Sequence, residues 1–277
     1  MYTLAEWLAL ADARLKQVVS SRISTAVIYL NGTRRWFLSR SDDWSAYATI
    51  TSQAQRALNQ TFFDYGLQTL IQPVLGYDLV SRGPEYMAFA LEQGLAALAN
   101  SDSQAWYQQH QIRVTFYGNW PAVLDEHGFT DLKTSLQQLE AETAQYSQYN
   151  LLFGLFADEG LDRVVELAKQ LQPDETLLTA YYGQPVGPVD LIVGSGQPGI
   201  WDLPLLDINQ ANMYFLQAPT FCLTAPALRR ILYDHLYQRK NDDELYDHLA
   251  PNTGPNIWQD FEILGIGRQT NHGWEAV

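Results

Sequence analysis

The chain has 277 residues, 47% of them hydrophobic and 17% charged, with 17 Lys and Arg against 31 Asp and Glu. A formal charge of -14 argues against wrapping nucleic acid or docking on an anionic membrane surface. The single cysteine, Cys222, excludes an intramolecular disulfide and a cysteine-rich zinc site, and no run of about 18 apolar residues is there to span a bilayer.

In chain order, residues 1–20 pattern as an amphipathic helix with Leu4, Trp7, Leu8, Ala11 and Leu15 on one face. Thr25–Leu30 (TAVIYL) is an apolar run rich in β-formers, so a buried strand is expected there. A helix over 42–65 follows, with Asp42 or Asp43 as its N-cap, then a strand over Leu67–Leu75. Pro84 opens a helix that reaches Leu98. Ile112–Tyr117 is the third strand, 131–146 a helix, Leu151–Phe156 the fourth strand and 160–171 a helix. Val189–Val193 and Asn212–Leu216 complete the strands, and a strong helix covers 225–239. The last residues are polar and irregular.

Strands alternating with helices imply βαβ units. The expected fold class is α/β, with a mostly parallel central sheet flanked by helices. A single catalytic domain is expected over 1–240, with a C-terminal extension over 241–277 that covers the site or is poorly ordered. No basic segment followed by an apolar one opens the chain, so a cytoplasmic protein is expected.

Ligands of such sheets sit beyond the carboxyl ends of the strands. The first of those ends reads Asn31-Gly32-Thr33-Arg34-Arg35-Trp36. Gly32 allows close backbone approach, Thr33 offers a hydroxyl, and adjacent arginines match phosphate geometry. In so acidic a chain, this is an anion site or a surface pair held in salt bridges. Gly194-Ser195-Gly196-Gln197-Pro198-Gly199 matches GxGxxG in form only, since Pro198 removes a donor and no helix opens after it. A ligand-facing loop is expected instead. Asp242-Asp243-Glu244-Leu245-Tyr246-Asp247 has the wrong spacing for a DDxxD metal motif and reads as a solvated acidic face. None of the five histidines is paired at metal-ligand spacing, and no GxSxG elbow or P-loop is present.

Aromatic residues make up 13% of the chain, mostly as core. Tyr47, Tyr65, Tyr77, Tyr86, Tyr117, Trp120, Tyr181, Tyr182 and Trp201 lie in or near the expected loop ends. Arginines at a mouth with aromatics behind would suit an amphiphile with an anionic head and an apolar tail.

The strand followed by Asn31-Gly32-Thr33-Arg34-Arg35-Trp36-Phe37 resembles the first motif of the cis-prenyltransferases, written DGNxRW. Phe116-Tyr117-Gly118-Asn119-Trp120 and Pro188-Val189-Asp190-Leu191-Ile192 fall where that superfamily has later strand motifs. GTRRWF at 32–37, YYG at 181–183, DLPLL at 202–206 and LRRILYDHLYQR at 228–239 look closer still to one offshoot, the tuberculosinol/isotuberculosinol and kolavelool synthases.

The resemblance implies a cis-prenyltransferase-like fold, a homodimer and a prenyl or bicyclic diterpenyl diphosphate substrate. It implies that Gly32, Thr33, Arg34 and Arg35 hold the diphosphate. Tyr47 would lie near the reacting carbon and its water, and Tyr86 would be a second site tyrosine. Trp274 would match a C-terminal aromatic and join Tyr77 and Tyr117 in the apolar pocket. The elongating enzymes bind a second diphosphate with an RTGGE…R segment, where this chain has Val193–Gly199 without arginine or acid. Chain elongation is therefore expected to be lost. Asn31 replaces the family Asp that is linked to Mg²⁺, which leaves two expectations for the metal. Either substrate phosphates hold Mg²⁺, or Arg34 and Arg35 replace it. Ionisation of one allylic diphosphate with capture by water is the expected activity. The alternatives are transfer to a nucleoside or other small nucleophile, and a non-catalytic prenyl-lipid-binding subunit. Retention of GTRRW speaks against the last, and Asn31 keeps it open.

Overall fold

The structure is a computed structural model that describes residues 2–157, 160–173, 175–204, 206, 208, 210–239, 267–270 and 273–275. Six strands form one sheet: β1 (Thr25–Ile28), β2 (Thr69–Leu75), β3 (Ile112–Tyr117), β4 (Tyr149–Leu155), β5 (Leu191–Ser195) and β6 (Asn212–Leu216). Their order is β3-β4-β2-β1-β5-β6, and every neighbouring pair is parallel. β1 and β5 are buried at every residue. Helices cover both faces of such a sheet, so its inner strands read as continuous apolar runs.

The helices are α1 (Leu4–Leu8), α2 (Asp12–Ser20), α3 (Thr33–Leu38), α4 (Tyr47–Asp64), α5 (Asp78–Ser81) and α6 (Pro84–Phe89). They continue as α7 (Ser101–His110), α8 (Trp120–Glu126), α9 (Thr130–Thr143), α10 (Gly160–Gln170), α11 (Leu177–Tyr182) and α12 (Ala225–Tyr233). The single helix expected over 1–20 is broken between Leu8 and Asp12. Arg229 of α12 explains the break, because its guanidinium donates to the Leu8 and Leu10 carbonyls at 3.1 and 2.8 Å. Those carbonyls then need no further helical turn.

Two local departures shape the site. β2 contains Pro73, and its pairing with β4 shifts register between Pro73 and Leu75. Pairing with β1 has already ended at Ile71, so Pro73 breaks no ladder on that side. The helix expected over 84–98 is α-helical only to Phe89, then widens to a π-turn over Ala90–Leu95 and tightens to a 3₁₀ turn over Ala96–Ala99. β2 beyond its bulge and this irregular segment enclose a hollow.

Among the described C-terminal residues, β7 (Arg268–Thr270) and β8 (Gly273–Glu275) pair as a short antiparallel hairpin. The Trp274 amide donates to the Gln217 carbonyl at 3.4 Å, so the hairpin lies beside the end of β6. The acidic run at 242–247, His248 and His272 lie outside the described residues. Among the described residues no helix is long and apolar enough to cross a membrane.

Candidate active site

The segment expected as a loop after β1 turns at once into α3. Gly32 is its N-cap at φ 77°, in the left-handed region that a side chain disfavours. A Cβ there would lie 3.1 Å from Pro219 and 3.2 Å from an Arg35 nitrogen. Thr33 Oγ1 donates to the Leu30 carbonyl at 2.8 Å and ties the helix to the strand. The Asn31 carbonyl accepts from the Thr220 amide at 3.2 Å and from Ser195 Oγ at 3.2 Å. Asn31 Nδ2 donates to the Ser195 carbonyl at 3.1 Å. The ends of β1 and β5 are thus locked together, and Arg34 and Arg35 follow in the first turn of α3.

Arg34 and Arg35 border a cavity of about 500 Å³. That size suits a pocket for a small organic ligand. Exposed Arg82 and half-buried Tyr86 line it together with half-buried Val74 and Leu75 and buried Leu95 and Leu98. α4 contributes Tyr47, Thr51, Ser52 and Gln55. Arg34 stacks 4.9 Å from the Tyr86 ring centre and makes no ion pair among the described residues. Arg82 reaches the Tyr86 hydroxyl at 3.4 Å and pairs with Asp78 at 2.5 Å. Tyr47 is packed among Phe37, Trp44 and Phe89, with ring centres 5.1, 5.6 and 5.3 Å away. Burial pushes its hydroxyl up to about 12, with Tyr86 adding to the rise and Arg34 opposing it. At neutral pH Tyr47 is a neutral phenol.

One cavity therefore collects Asn31, Gly32, Thr33, Arg34, Arg35, Tyr47 and Tyr86. Tyr77 and Tyr117 are placed elsewhere. Tyr77 accepts from Asn119 Nδ2 at 2.7 Å and packs on Phe156. Tyr117 lies on the opposite face of the sheet with Tyr181 and Tyr182, its hydroxyl donating to the Asp202 carbonyl at 3.1 Å. Trp274 is not among the lining residues, although its hairpin touches the site, since Arg35 donates to the Thr270 carbonyl at 3.0 Å. The sequence reading passed over Arg82 and Gln55. Arg82 lies at the end of α5 and Tyr86 in α6, so the turn at Gly83 brings them together, while Gln55 lies about two turns beyond Tyr47 in α4.

The residues of this turn, Asn31 to Arg35, bring no carboxylate of their own to a magnesium ion. Asn31 brings a neutral amide whose nitrogen is already committed to Ser195. The nearby Asp78 is paired with Arg82. Among the described residues no group of three or more His, Cys, Asp or Glu could hold a metal ion. What the turn supplies is positive charge.

A second hollow of about 400 Å³ lies on the other side of Arg35, lined by Asn31, Ser195, Gln197, Pro198, Gly199 and Trp201. Tyr29 fixes its rim, accepting from the Trp201 amide at 3.0 Å and donating to the Trp201 carbonyl at 2.8 Å. Arg35 is the charged residue in this lining.

Tuberculosinyl adenosine transferase of Mycobacterium tuberculosis is 31% identical over 248 residues, covering 84% of this chain and 82% of that protein. The chain belongs to the tuberculosinyl transferase and kolavelool synthase family. A second member, (+)-kolavelool synthase of Herpetosiphon aurantiacus, is 28% identical over 284 residues, 98% of this chain and 94% of that one. No family model matches the chain. Solved structures place this family on the cis-prenyltransferase fold. Lavandulyl diphosphate synthase from Lavandula x intermedia, solved with dimethylallyl diphosphate, superposes with a TM-score of 0.63 at 14% identity, over 76% of this chain and 94% of that one. A probable undecaprenyl diphosphate synthase from Campylobacter jejuni gives 0.60 at 14% identity, over 79% and 98%.

Proposed function

We propose that the protein ionises a diterpenyl diphosphate and captures the allylic cation with water, releasing diphosphate and a diterpene alcohol. One observation carries this reading. Arg34 stands without a carboxylate partner, among the described residues, at a cavity that Val74, Leu75, Phe89, Leu95 and Leu98 line on one part and polar side chains of α4 on another. An anionic head suits the arginine, and a largely hydrocarbon tail suits the apolar part of the lining.

The C–O bond to the diphosphate breaks and its electron pair leaves with the diphosphate oxygen. Arg34 and Arg35 stabilise that developing charge. The face of Phe89, which lines the same cavity, stabilises the cation left behind. A water lone pair forms the new C–O bond, and the proton released passes to a diphosphate oxygen. Tyr47, a neutral phenol, places the water by hydrogen bonding and is not the base. Val74, Leu75, Leu95 and Leu98 limit the water that reaches the cation on their side of the cavity. Loss of the charged cradle for a second diphosphate, at Val193–Gly199, supports one-substrate chemistry over elongation. The kolavelool synthase relative, matched over 98% of this chain, supports a diterpene product.

A second reading, transfer to an acceptor other than water, draws on the hollow lined by Gln197 and Trp201 and on the transferase relative. Product analysis separates the two. The purified protein is incubated with geranylgeranyl or bicyclic diterpenyl diphosphate, with and without a nucleoside, in Mg²⁺ or EDTA. A terpene alcohol with stoichiometric diphosphate is the expected result. A terpenyl nucleoside would favour transfer, and intact substrate in every arm would overturn both.

A further inference from the structure

The cavity wall contributed by α4 carries a polar stripe. Tyr47, Thr51, Gln55 and Asn59 recur every fourth residue of α4, each about one turn on from the last and about 40° further round the helix. Thr51 Oγ1 donates to the Tyr47 carbonyl at 2.7 Å, and Ser52 Oγ donates to the Thr49 carbonyl at 3.2 Å. Each hydroxyl proton is committed within the helix, so these side chains present lone pairs to the cavity.

Gln55 is held from behind. Its Nε2 donates to Gln72 Oε1 at 2.9 Å, and Gln72 Nε2 donates to Asn59 Oδ1 at 2.6 Å. Gln72 is fully buried in the sheet and Asn59 is buried in α4. The chain of amides therefore has one fixed end and one open end. The open end is Gln55 Oε1, which takes no hydrogen bond among the described residues and belongs to a side chain that lines the cavity. Gln55 lies two helical turns beyond Tyr47, about 12 Å along the axis at 1.5 Å per residue. A diphosphate at Arg34 and Arg35 puts its hydrocarbon skeleton along this wall. A plain hydrocarbon would leave the three acceptor oxygens of Thr51, Ser52 and Gln55 facing nothing they can bond. A hydroxyl on that part of the skeleton would meet them.

We infer that the cavity selects a terpenyl diphosphate that bears a hydroxyl group remote from the diphosphate, with Gln55 Oε1, braced by Gln72 and Asn59, as the acceptor that recognises it. This rests on the reading of the cavity as a terpenyl diphosphate site and names its substrate class more closely. Sites built around a substrate hydroxyl discriminate strongly against the analogue without it.

The test uses two bicyclic diterpenyl thiolodiphosphates, too slow to ionise, identical except for one ring hydroxyl. Calorimetry on the full chain gives their affinities, and the matching diphosphates give kcat/KM. The hydroxylated ligand should bind at least about tenfold tighter, in the direction set by an unpaired acceptor. Gln55→Leu should remove that preference, and Gln55→Glu, which keeps an acceptor but loses the donor that Gln72 holds, should retain only part of it. Thr51→Val, which keeps side-chain shape, should lower the preference in the same direction and covers the case in which Gln55→Leu fails to fold. Equal binding of the two ligands by the unaltered protein would overturn the inference, and is the result if resident water satisfies the oxygens. An unchanged preference in both Gln55→Leu and Thr51→Val would overturn it as well. Preferential binding without product from either diphosphate would remove the proposed reaction and leave this inference standing. Product formation with equal binding would do the reverse.

Discussion

Arg34 has its guanidinium 4.9 Å from the Tyr86 ring centre, and Tyr47 is the buried phenol of the same cavity. A preorganised charge partner for a leaving group is typically worth about 3 kcal/mol. Arg34→Ala should therefore lower single-turnover rates by about two orders of magnitude. Arg34→Lys should recover only part of that, because an ammonium lacks the guanidinium fork. Near-normal turnover of the alanine variant would remove Arg34 from the chemistry. Tyr47 makes a different prediction. With its hydroxyl pushed up to about 12, it stays protonated through any ordinary assay range. The rate should show no tyrosine ionisation between about pH 6 and 9. Tyr47→Phe should shift products from alcohol toward olefin, because the water loses its anchor. An identical product ratio would contradict that role. Arg34, Arg35, Tyr47 and Tyr86 were legible in the sequence because their residue types match a motif at fixed spacing. Gln55 was not, because its meaning comes from Gln72 on a distant strand.

The strands were easier to read than the helices. TAVI and IRVTFY are runs of β-formers whose places follow from burial. α7 carries the sequence SDSQAWYQQH, with little apolar periodicity, and its start is set by Asn100 Oδ1 accepting from the Ser103 amide at 2.8 Å. α8 and α11 have seven and six residues, too few to show a period. α3 looked like a loop for the same reason, yet it is the element that aims the arginines. Its geometry depends on Gly32. Gly32→Ala places a side chain at positive φ, which costs about 1–2 kcal/mol. The new methyl also meets Pro219 at 3.1 Å and pushes on Arg35. Denaturant titration should show a stability loss of about that size, and KM for the diphosphate should rise several-fold as the turn shifts. A stability loss with unchanged KM would mean that the turn supports the fold without presenting the anion site.

Alternate residues of the same strands enter two separate cores. Ala26, Ile28, Leu70, Leu191 and Val193 join one, while Val27, Ile71 and Ile192 join the other. The sheet is thus a two-sided wall, with the candidate site at its carboxyl edge and edge strand β6 closed by α12 and the turn after it. His235 sits in that closure. Its Nδ1 lies 2.8 Å from Asn212 Nδ2, and a neutral imidazole accepts from that amide. Burial holds its pKa below the usual 6.5, with Asp190 and Asp234 opposing the shift and Arg239 adding to it. The folded state therefore binds this proton less readily than the unfolded chain does. The stability it contributes is complete above the unfolded value near 6.5 and is lost as pH falls through the folded value. His235→Gln keeps a side chain that can accept from Asn212 and removes the titration. Urea midpoints measured at pH 7.5 and at about pH 5.5 should fall further for the unaltered protein than for this variant. Equal falls would assign the acid sensitivity to the carboxylates and would leave the β6 closure indifferent to pH.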